Sequence, residues 1–363
     1  AIDVHSVGNQ AGGNETYFRQ LLSGLAQDQS HNQYTLFGTG RAPLEETRDD
    51  PRFQLVLIPR NPVLRLCVSL PRLLHKGKPD VFHCQYIQPP WGKTKTVVSI
   101  HDIAYEHLPE SFRPLEVMRM KRLVKGTARR ADHILTLSNF SADDIATRYG
   151  IAREKITVTY LAASDRFRPR DKQQACEYLG RRYGINFPCI LYVGRVQARK
   201  NLVRLVEAYA QARKRGVTAG LLIVGKEDFQ SERLSARIAE LRLQEAVVFT
   251  GYVSFQDLPL FYNAAEAFVF PSLFEGFGLP VMESMASGVP TITSRGSSLE
   301  EVAGDGALLV DPLDTDSIAR ALERVLGDTT LQTQLISRGI RRSAEFRLGD
   351  LSDKALAVYR SLQ

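Results

Sequence analysis

Short apolar runs, each closed by glycine, proline or polar residues, recur along the whole chain, and longer stretches of mixed apolar and charged residues separate most of them. Runs of this kind read as strands covered on both faces, and their alternation with helical patterns predicts a parallel α/β architecture. In the first half they fall at 2–7, 34–37, 54–58, 81–84, 96–100, 134–137 and 157–161. In the second half they fall at 190–193, 221–224, 247–250, 267–270, 291–294 and 308–310. Helical patterns are expected at 14–27, from Leu202 onward, from Pro280, near 316–326 and 331–345, and at 350–362. Between the halves, Ser164-Asp165-Arg166-Phe167-Arg168-Pro169-Arg170-Asp171 is polar and broken by proline, as a linker is. The expected division is residues 1–166, residues 167–348 and a final helical segment, 349–363.

Length agrees with this division, since 363 residues exceed one ordinary core. A hydrophobic content of 44% with 24% charged residues is that of a globular protein. No apolar run approaches the ~20 residues that cross a bilayer, and the chain opens inside a strand pattern with no basic leader, which points to a cytoplasmic setting. Cys67, Cys84, Cys176 and Cys189 are dispersed and read as reduced thiols, not as a zinc site or disulfide frame. The net charge of +7 favours anionic partners. Nucleic acid, anionic lipid and a nucleotide sugar all satisfy that condition.

The densest chemistry lies at 267–290. There the strand Ala-Phe-Val-Phe is followed by Pro-Ser-Leu-Phe-Glu-Gly-Phe-Gly-Leu-Pro-Val-Met-Glu-Ser-Met-Ala-Ser-Gly-Val-Pro. Gly276 and Gly278 free a turn, and Pro280 fits a helix start. The helix's unpaired N–H groups and positive dipole end would then face the strand's carboxyl edge, where anions bind in open α/β sheets. Glu275 lies on the loop and Glu283 in the expected first helical turn, and carboxylates suit sugar hydroxyls better than phosphate. The spacing Glu275-(seven residues)-Glu283 within this string resembles the signature of the family-four retaining glycosyltransferases. The resemblance implies the GT-B fold: two Rossmann-like domains facing a central cleft, with a C-terminal helix crossing back to the N-terminal domain. It implies donor-sugar hydroxyls at Glu275, the ribose at Glu283, and sugar and diphosphate on the backbone of Gly276, Phe277, Gly278 and Leu279.

Other segments extend the reading. Gly194-Arg195-Val196-Gln197-Ala198-Arg199-Lys200-Asn201 places cations at a helix start, against the dipole, so an anion is expected there. A diphosphate fits, because Arg grips it bidentately and Lys as a point charge. The resemblance gives this task to Arg195 and Lys200, with Arg199 read as exposed. Gly12 and Gly13 close a glycine loop after the first strand. It lacks both the dinucleotide and P-loop spacings but is similar to the family's first loop beside donor or acceptor, although Asn14-Glu15 departs from the more usual basic residue. The strand ending Ser99-Ile100 delivers His101-Asp102, which resembles the family's His-Asp loop. That likeness puts His101 beside the reacting sugar and Asp102 behind it as an orienting or helping residue. Ser138 reads first as a helix cap and second as an acceptor neighbour. Tyr252 and Val253 follow a strand where the resemblance places the base. Asp314-Thr315-Asp316 has a metal-binding form but reads as an N-cap, so no metal site is expected. Segment 113–130 carries Arg113, Arg119, Lys121, Arg122, Lys125, Arg129 and Arg130 among Leu115, Met118, Leu123 and Val124. It is either a solvated helix face or a contact with an anionic membrane surface.

The sequence therefore predicts a retaining glycosyltransferase that needs no metal or other cofactor. It would move a hexose from a nucleotide-sugar donor, UDP-glucose-type first and GDP-mannose next, to a saccharide or lipid-linked acceptor in cell-surface polysaccharide synthesis. His101, Glu275, Arg195 and Lys200 are the candidate catalytic residues, and nucleic acid is not an expected partner. The rival readings are an epimerase or phosphorylase of the same fold, a glycosidase using Glu275 and Glu283, and a non-catalytic nucleotide-sugar binder. The expected location is cytoplasmic, with peripheral attachment to the inner membrane face as an extension.

Overall fold

A computed structural model describes residues 1–8, 12–40, 45–226 and 231–363. Asn9, Gln10 and Ala11 of the first glycine loop, and Glu227 of the Gly225-Lys226-Glu227 turn, lie outside the described residues. The chain forms two units. The first comprises Ala1–His107, Arg113–Leu161 and Arg347–Gln363, and the second Leu108–Phe112 and Ala162–Phe346. The five residues Leu108–Phe112 are the one excursion that the sequence pattern does not mark; they lie with the second unit, against its turn at Ala198–Lys200.

Seven parallel strands make the first sheet: β1 (Ile2–Asp3), β2 (Tyr34–Gly38), β3 (Phe53–Leu57), β4 (Val81–Gln85), β5 (Lys95–Ser99), β6 (His133–Thr136) and β7 (Ile156–Val158). Their order is β3-β2-β1-β4-β5-β6-β7, so the winding reverses between β1 and β4. All thirteen apolar runs become strands. The first is shorter than its apolar pattern. Asp3 Oδ1 accepts from the His5 N–H at 3.1 Å, and Val7 N–H closes onto the Val4 carbonyl at 3.0 Å, which turns the chain out of the sheet.

The second unit holds β8 (Cys189–Val193), β9 (Gly220–Val224), β10 (Val247–Gly251), β11 (Ala267–Phe270), β12 (Thr291–Ser294) and β13 (Leu308–Val310). They are parallel in the order β10-β9-β8-β11-β12-β13, with the reversal between β8 and β11. Every residue of β8, β9, β11 and β12 is buried, as strands covered on both faces must be.

The final helix, Asp350–Ser361, packs in the first unit on helix Gly13–Gln27 and buries Leu351, Ala355, Leu356 and Tyr359. The two backbones approach so closely that a Cβ on Gly24 would lie 2.0 Å from Ser352 Oγ. Helix Pro114–Arg130 turns Val117, Val124, Thr127 and Ala128 inward. Leu115 (77% exposed) and Met118 (65%) point outward, so Val124 belongs to the core and not to the outer apolar set. Several of its cations are engaged inside the unit: Lys121 with Glu106, Lys125 over the Tyr149 ring, Arg129 on the Tyr149 carbonyl and Arg130 on the Pro90 carbonyl. Among the described residues, no helix is long and apolar enough to cross a membrane.

Candidate active site

In the second sheet the crevice at the reversal lies between the carboxyl ends of β8 and β11, the usual place for a ligand in an open α/β sheet. Both charged segments leave from those two ends. After β8 come Gly194 and the exposed Arg195, then a tight turn at Ala198–Lys200 and helix Leu202–Lys214. Asn201 joins turn to helix in the left-handed conformation (φ 63°), which asparagine tolerates. Its side-chain amide donates to the carbonyls of Pro271 (3.0 Å) and Pro312 (2.7 Å). Leu273 N–H in turn donates to the Arg199 carbonyl at 2.8 Å. These bonds tie the β8 loop to the chain leaving β11, so Lys200 and Glu275, which are 75 residues apart, meet.

Lys200 Nζ donates to Glu275 Oε1, and the Ser272 hydroxyl donates to the same oxygen at 2.6 Å. Arg199 Nη1 lies 3.1 Å from Oε2. Lys200 is 8% and Glu275 6% exposed. Burial alone would raise the Glu275 carboxyl. The charges of Arg199 and Lys200 and the hydrogen bonds from Lys200 and Ser272 outweigh it, and hold the group down at about 2. Glu275 is therefore ionised throughout the neutral range, with both oxygens engaged by cations, which disfavours its use as a glycosidase nucleophile. Arg199, expected to be exposed, is instead a half-buried member of this cluster, because the tight turn brings consecutive residues to one carboxylate. Two cations against one carboxylate leave the cluster positive.

The following helix, Leu279–Ala286, starts one residue before Pro280, whose missing N–H still costs nothing in the first turn. Gly278 precedes it with φ of 100°, and a Cβ there would sit 2.3 Å from Leu299 Cδ2, so only glycine fits. Among the described residues no side chain caps this helix, and its positive end suits an anionic group. Phe277 is buried against Phe346.

Glu283 is the helix's fifth residue and so lies beyond the first turn where it was expected. It is buried, and its Oε2 accepts from Tyr262 Oη at 2.8 Å. Burial raises its carboxyl from 4.5 to about 8, with the Tyr262 hydrogen bond opposing. Between those values the folded protein holds a proton that the unfolded chain has released, so stability falls as pH rises through the window. Glu283→Gln keeps the shape and is expected to remove that slope. Its melting temperature relative to wild type should be higher at about pH 8.5 than at about pH 5, by the equivalent of up to ~3 kcal/mol. An equal difference at both pH values, by calorimetry, would refute the assignment.

The remaining positions are more scattered. Tyr252 is exposed after β10, with Lys226 Nζ 5.3 Å from its ring centre, and Val253 beside it is buried. Asp314 caps helix Thr315–Gly327 through the Asp316 N–H (2.9 Å), while Asp316 pairs with Arg215 and Arg320.

In the first unit, His101 lies buried past the carboxyl end of β5, and the Gln85 side-chain amide from the end of β4 is 3.3 Å from its Nε2. The ring also lies against Tyr17, with centroids 4.7 Å apart. Burial lowers its pKa to about 3, so the ring is neutral at physiological pH. Asp102 bonds not to His101 but to the Ala104 N–H (3.0 Å), as a cap, and Gln85 takes the orienting place expected of it. Ser138 caps helix Asn139–Tyr149 through the Ser141 N–H (3.1 Å). Gly12 precedes helix Gly13–Gln27 with φ of 60°, and Glu15 accepts from the Gly8 N–H at 3.1 Å and from Arg19.

Two family models take in both halves of the chain. The one described as Glycosyltransferase Family 4 matches residues 11–163, and the one described as Glycosyl transferases group 1 matches residues 184–342. The chain is a family 4 glycosyltransferase. It is 29% identical to the O-antigen chain mannosyltransferase B of Escherichia coli over 95% of each chain. Among solved structures, it resembles the sucrose-phosphate synthase of Thermosynechococcus elongatus, with a TM-score of 0.79 at 23% identity over 99% of this chain and 98% of that one. It also resembles Anabaena HepE in complex with UDP-glucose, with a TM-score of 0.78 at 16% identity over 99% of each chain. The transferase thus has the GT-B fold, as its sequence predicted. Ser272, Gln85 and Tyr262 are the site neighbours that its sequence did not single out.

Proposed function

We propose that the transferase moves a hexose from a nucleotide diphosphate sugar to a saccharide or lipid-linked saccharide in cell-surface polysaccharide synthesis, with retention at the anomeric carbon and without a metal ion. The observation that carries this reading is the net-positive Lys200–Glu275–Arg199 cluster beside an uncapped helix start at the β8/β11 reversal. Breaking the donor's anomeric C–O bond moves its electron pair onto the diphosphate. Lys200, Arg195 and the helix start oppose that growing charge, which is stabilisation placed where it lowers the barrier. The acceptor oxygen forms the new bond on the same face and passes its proton to the departing phosphate oxygen. Glu275 keeps the cations in place and receives sugar hydroxyls. Neutral His101 takes a hydroxyl of the reacting sugar without adding charge, and Glu283 takes the ribose.

The likeness to an Escherichia coli mannosyltransferase over 95% of each chain supports mannose as the transferred hexose, and we therefore put GDP-mannose ahead of UDP-glucose as the donor. A thermal-shift panel of nucleotide sugars tests this. GDP-mannose at about 100 times its dissociation constant should stabilise the protein by about 2.7 kcal/mol, and NMR of the product should show the donor's α configuration kept. Stabilisation by UDP-glucose alone would reverse the sugar assignment. An inverted product would remove the mechanism, and product from donor without acceptor would favour an epimerase.

A further inference from the structure

In the first sheet, strand alternation and register put His83 and Gln85 of β4 on the same face as Ser99 of β5, and His101 follows at the carboxyl end. Helix Gly13–Gln27 brings Tyr17 to that face, and the final helix brings Tyr359. Tyr17, His83, Ser99 and Tyr359 are all buried. Polar groups in such a place are costly unless each finds a partner, and here each does.

The partners form one chain with a fixed direction. The Ser99 hydroxyl donates to Tyr17 Oη at 2.7 Å, so its proton is spent there. His83 Nε2, 2.6 Å from Ser99 Oγ, is therefore the donor in that pair. Burial lowers the His83 pKa to about 3, so the neutral ring carries a single N–H, and its Nδ1 accepts from the Tyr359 hydroxyl at 2.5 Å. At the far end the Tyr17 ring lies against His101, with centroids 4.7 Å apart, and Gln85 stands 3.3 Å from His101 Nε2. Apolar side chains of the same shape would fill this core with little loss of stability. What the polar chain adds is a defined orientation, since hydrogen bonds fix directions that packing leaves loose. A reacting group has to be held within about 0.5 Å by neighbours that are themselves locked.

We propose that Tyr359 and His83 are positioning residues for transfer: through Ser99 they fix the Tyr17 ring, and the Tyr17 ring fixes the imidazole of His101. This rests on the reading of His101 as the group that takes a hydroxyl of the reacting sugar. The last helix of the chain is then a working part of the first unit, and its Tyr359, 276 residues from His83 in sequence, sets the geometry of His101 without touching substrate.

The test is NMR of the full chain with isotope-labelled histidine, together with turnover, in wild type, Tyr359→Phe, Ser99→Ala, His101→Ala, the double variant Tyr359→Phe/His101→Ala, and Leu351→Val. The last trims a buried side chain of the same helix outside the polar chain, and His101→Ala assigns the His101 signals. Those signals should shift or broaden in Tyr359→Phe and Ser99→Ala and keep their place in Leu351→Val. Turnover, read below every variant's melting transition as nucleotide release from the donor that the nucleotide-sugar panel selects, should fall about tenfold in Tyr359→Phe and in Ser99→Ala. Nucleotide affinity should match wild type in both. Once His101 is alanine, Tyr359→Phe should cost nothing further, because residues that act through one another are not additive. His101 signals that stay in place in Tyr359→Phe and Ser99→Ala, or that move as far in Leu351→Val, overturn the proposal. So does a loss in Tyr359→Phe that persists at full size in the His101→Ala background. Slow turnover by His101→Ala beside a wild-type rate in Tyr359→Phe strikes this inference alone, whereas a wild-type rate in His101→Ala strikes the reading of His101 beneath it as well.

Discussion

Lys200→Ala is expected to lower kcat by about 10²- to 10³-fold and to weaken nucleotide-sugar binding in the same protein. The buried ammonium is the cation most firmly fixed at the β8/β11 reversal, held by Glu275 and by the face of Phe270, 4.9 Å from its ring centre. Its charge acts on the diphosphate both before and during bond cleavage, so both constants should fall. Arg199 does not replace it, because its guanidinium is committed to Glu275 Oε2 and the Phe274 carbonyl. Lys200→Arg should rescue poorly, since a planar fork does not fill the place of a point charge on a slender stem. Steady-state kinetics and a nucleotide titration decide the matter, and a kcat within about threefold of wild type would sink the assignment.

Glu275→Gln is expected to separate those two constants. The substitution keeps the shape and leaves Lys200 and Arg199 without their counter-ion, so the site becomes more positive. Nucleotide binding should persist or tighten, while transfer falls by at least about 10²-fold as sugar positioning is lost. Stability should fall as well, because removing one partner of a buried ion pair costs on the order of 3–5 kcal/mol. The pH dependence has a definite sign. Because folding depresses the Glu275 carboxyl to about 2, its contribution is present above the unfolded value near 4.5 and is lost as pH falls toward 2. The variant should therefore lose less stability than wild type on acidification across that window. Wild-type transfer rates in Glu275→Gln would remove the carboxylate from the mechanism.

The strands were legible because a parallel strand covered on both faces leaves an unbroken apolar run, and β8, β9, β11 and β12 are of this kind. The Glu275 string was legible because turn, helix start and carboxylates are contiguous. What escaped was decided by direction and by distant contacts. Arg199 and Lys200 are consecutive, and only the tight turn before Asn201 shows that both reach Glu275. Gln85 replaces Asp102 beside His101 because β4 and β5 pair with Gln85 opposite Ser99, a register that no local pattern reveals. Glu283 was expected in the first turn and lies just past it, because the helix starts one residue earlier than Pro280 suggested. Tyr262, its partner, comes from a helix 21 residues upstream.

The fit of Gly24 against Ser352 bears on engineering. A chimera that exchanges acceptor-side lobes between homologues with a single crossover near Leu161 would join a foreign N-terminal half to the native tail. Any side chain at the position of Gly24 would then collide with the last helix, so recombination needs a second junction near Phe346 and must carry the tail along with its own lobe.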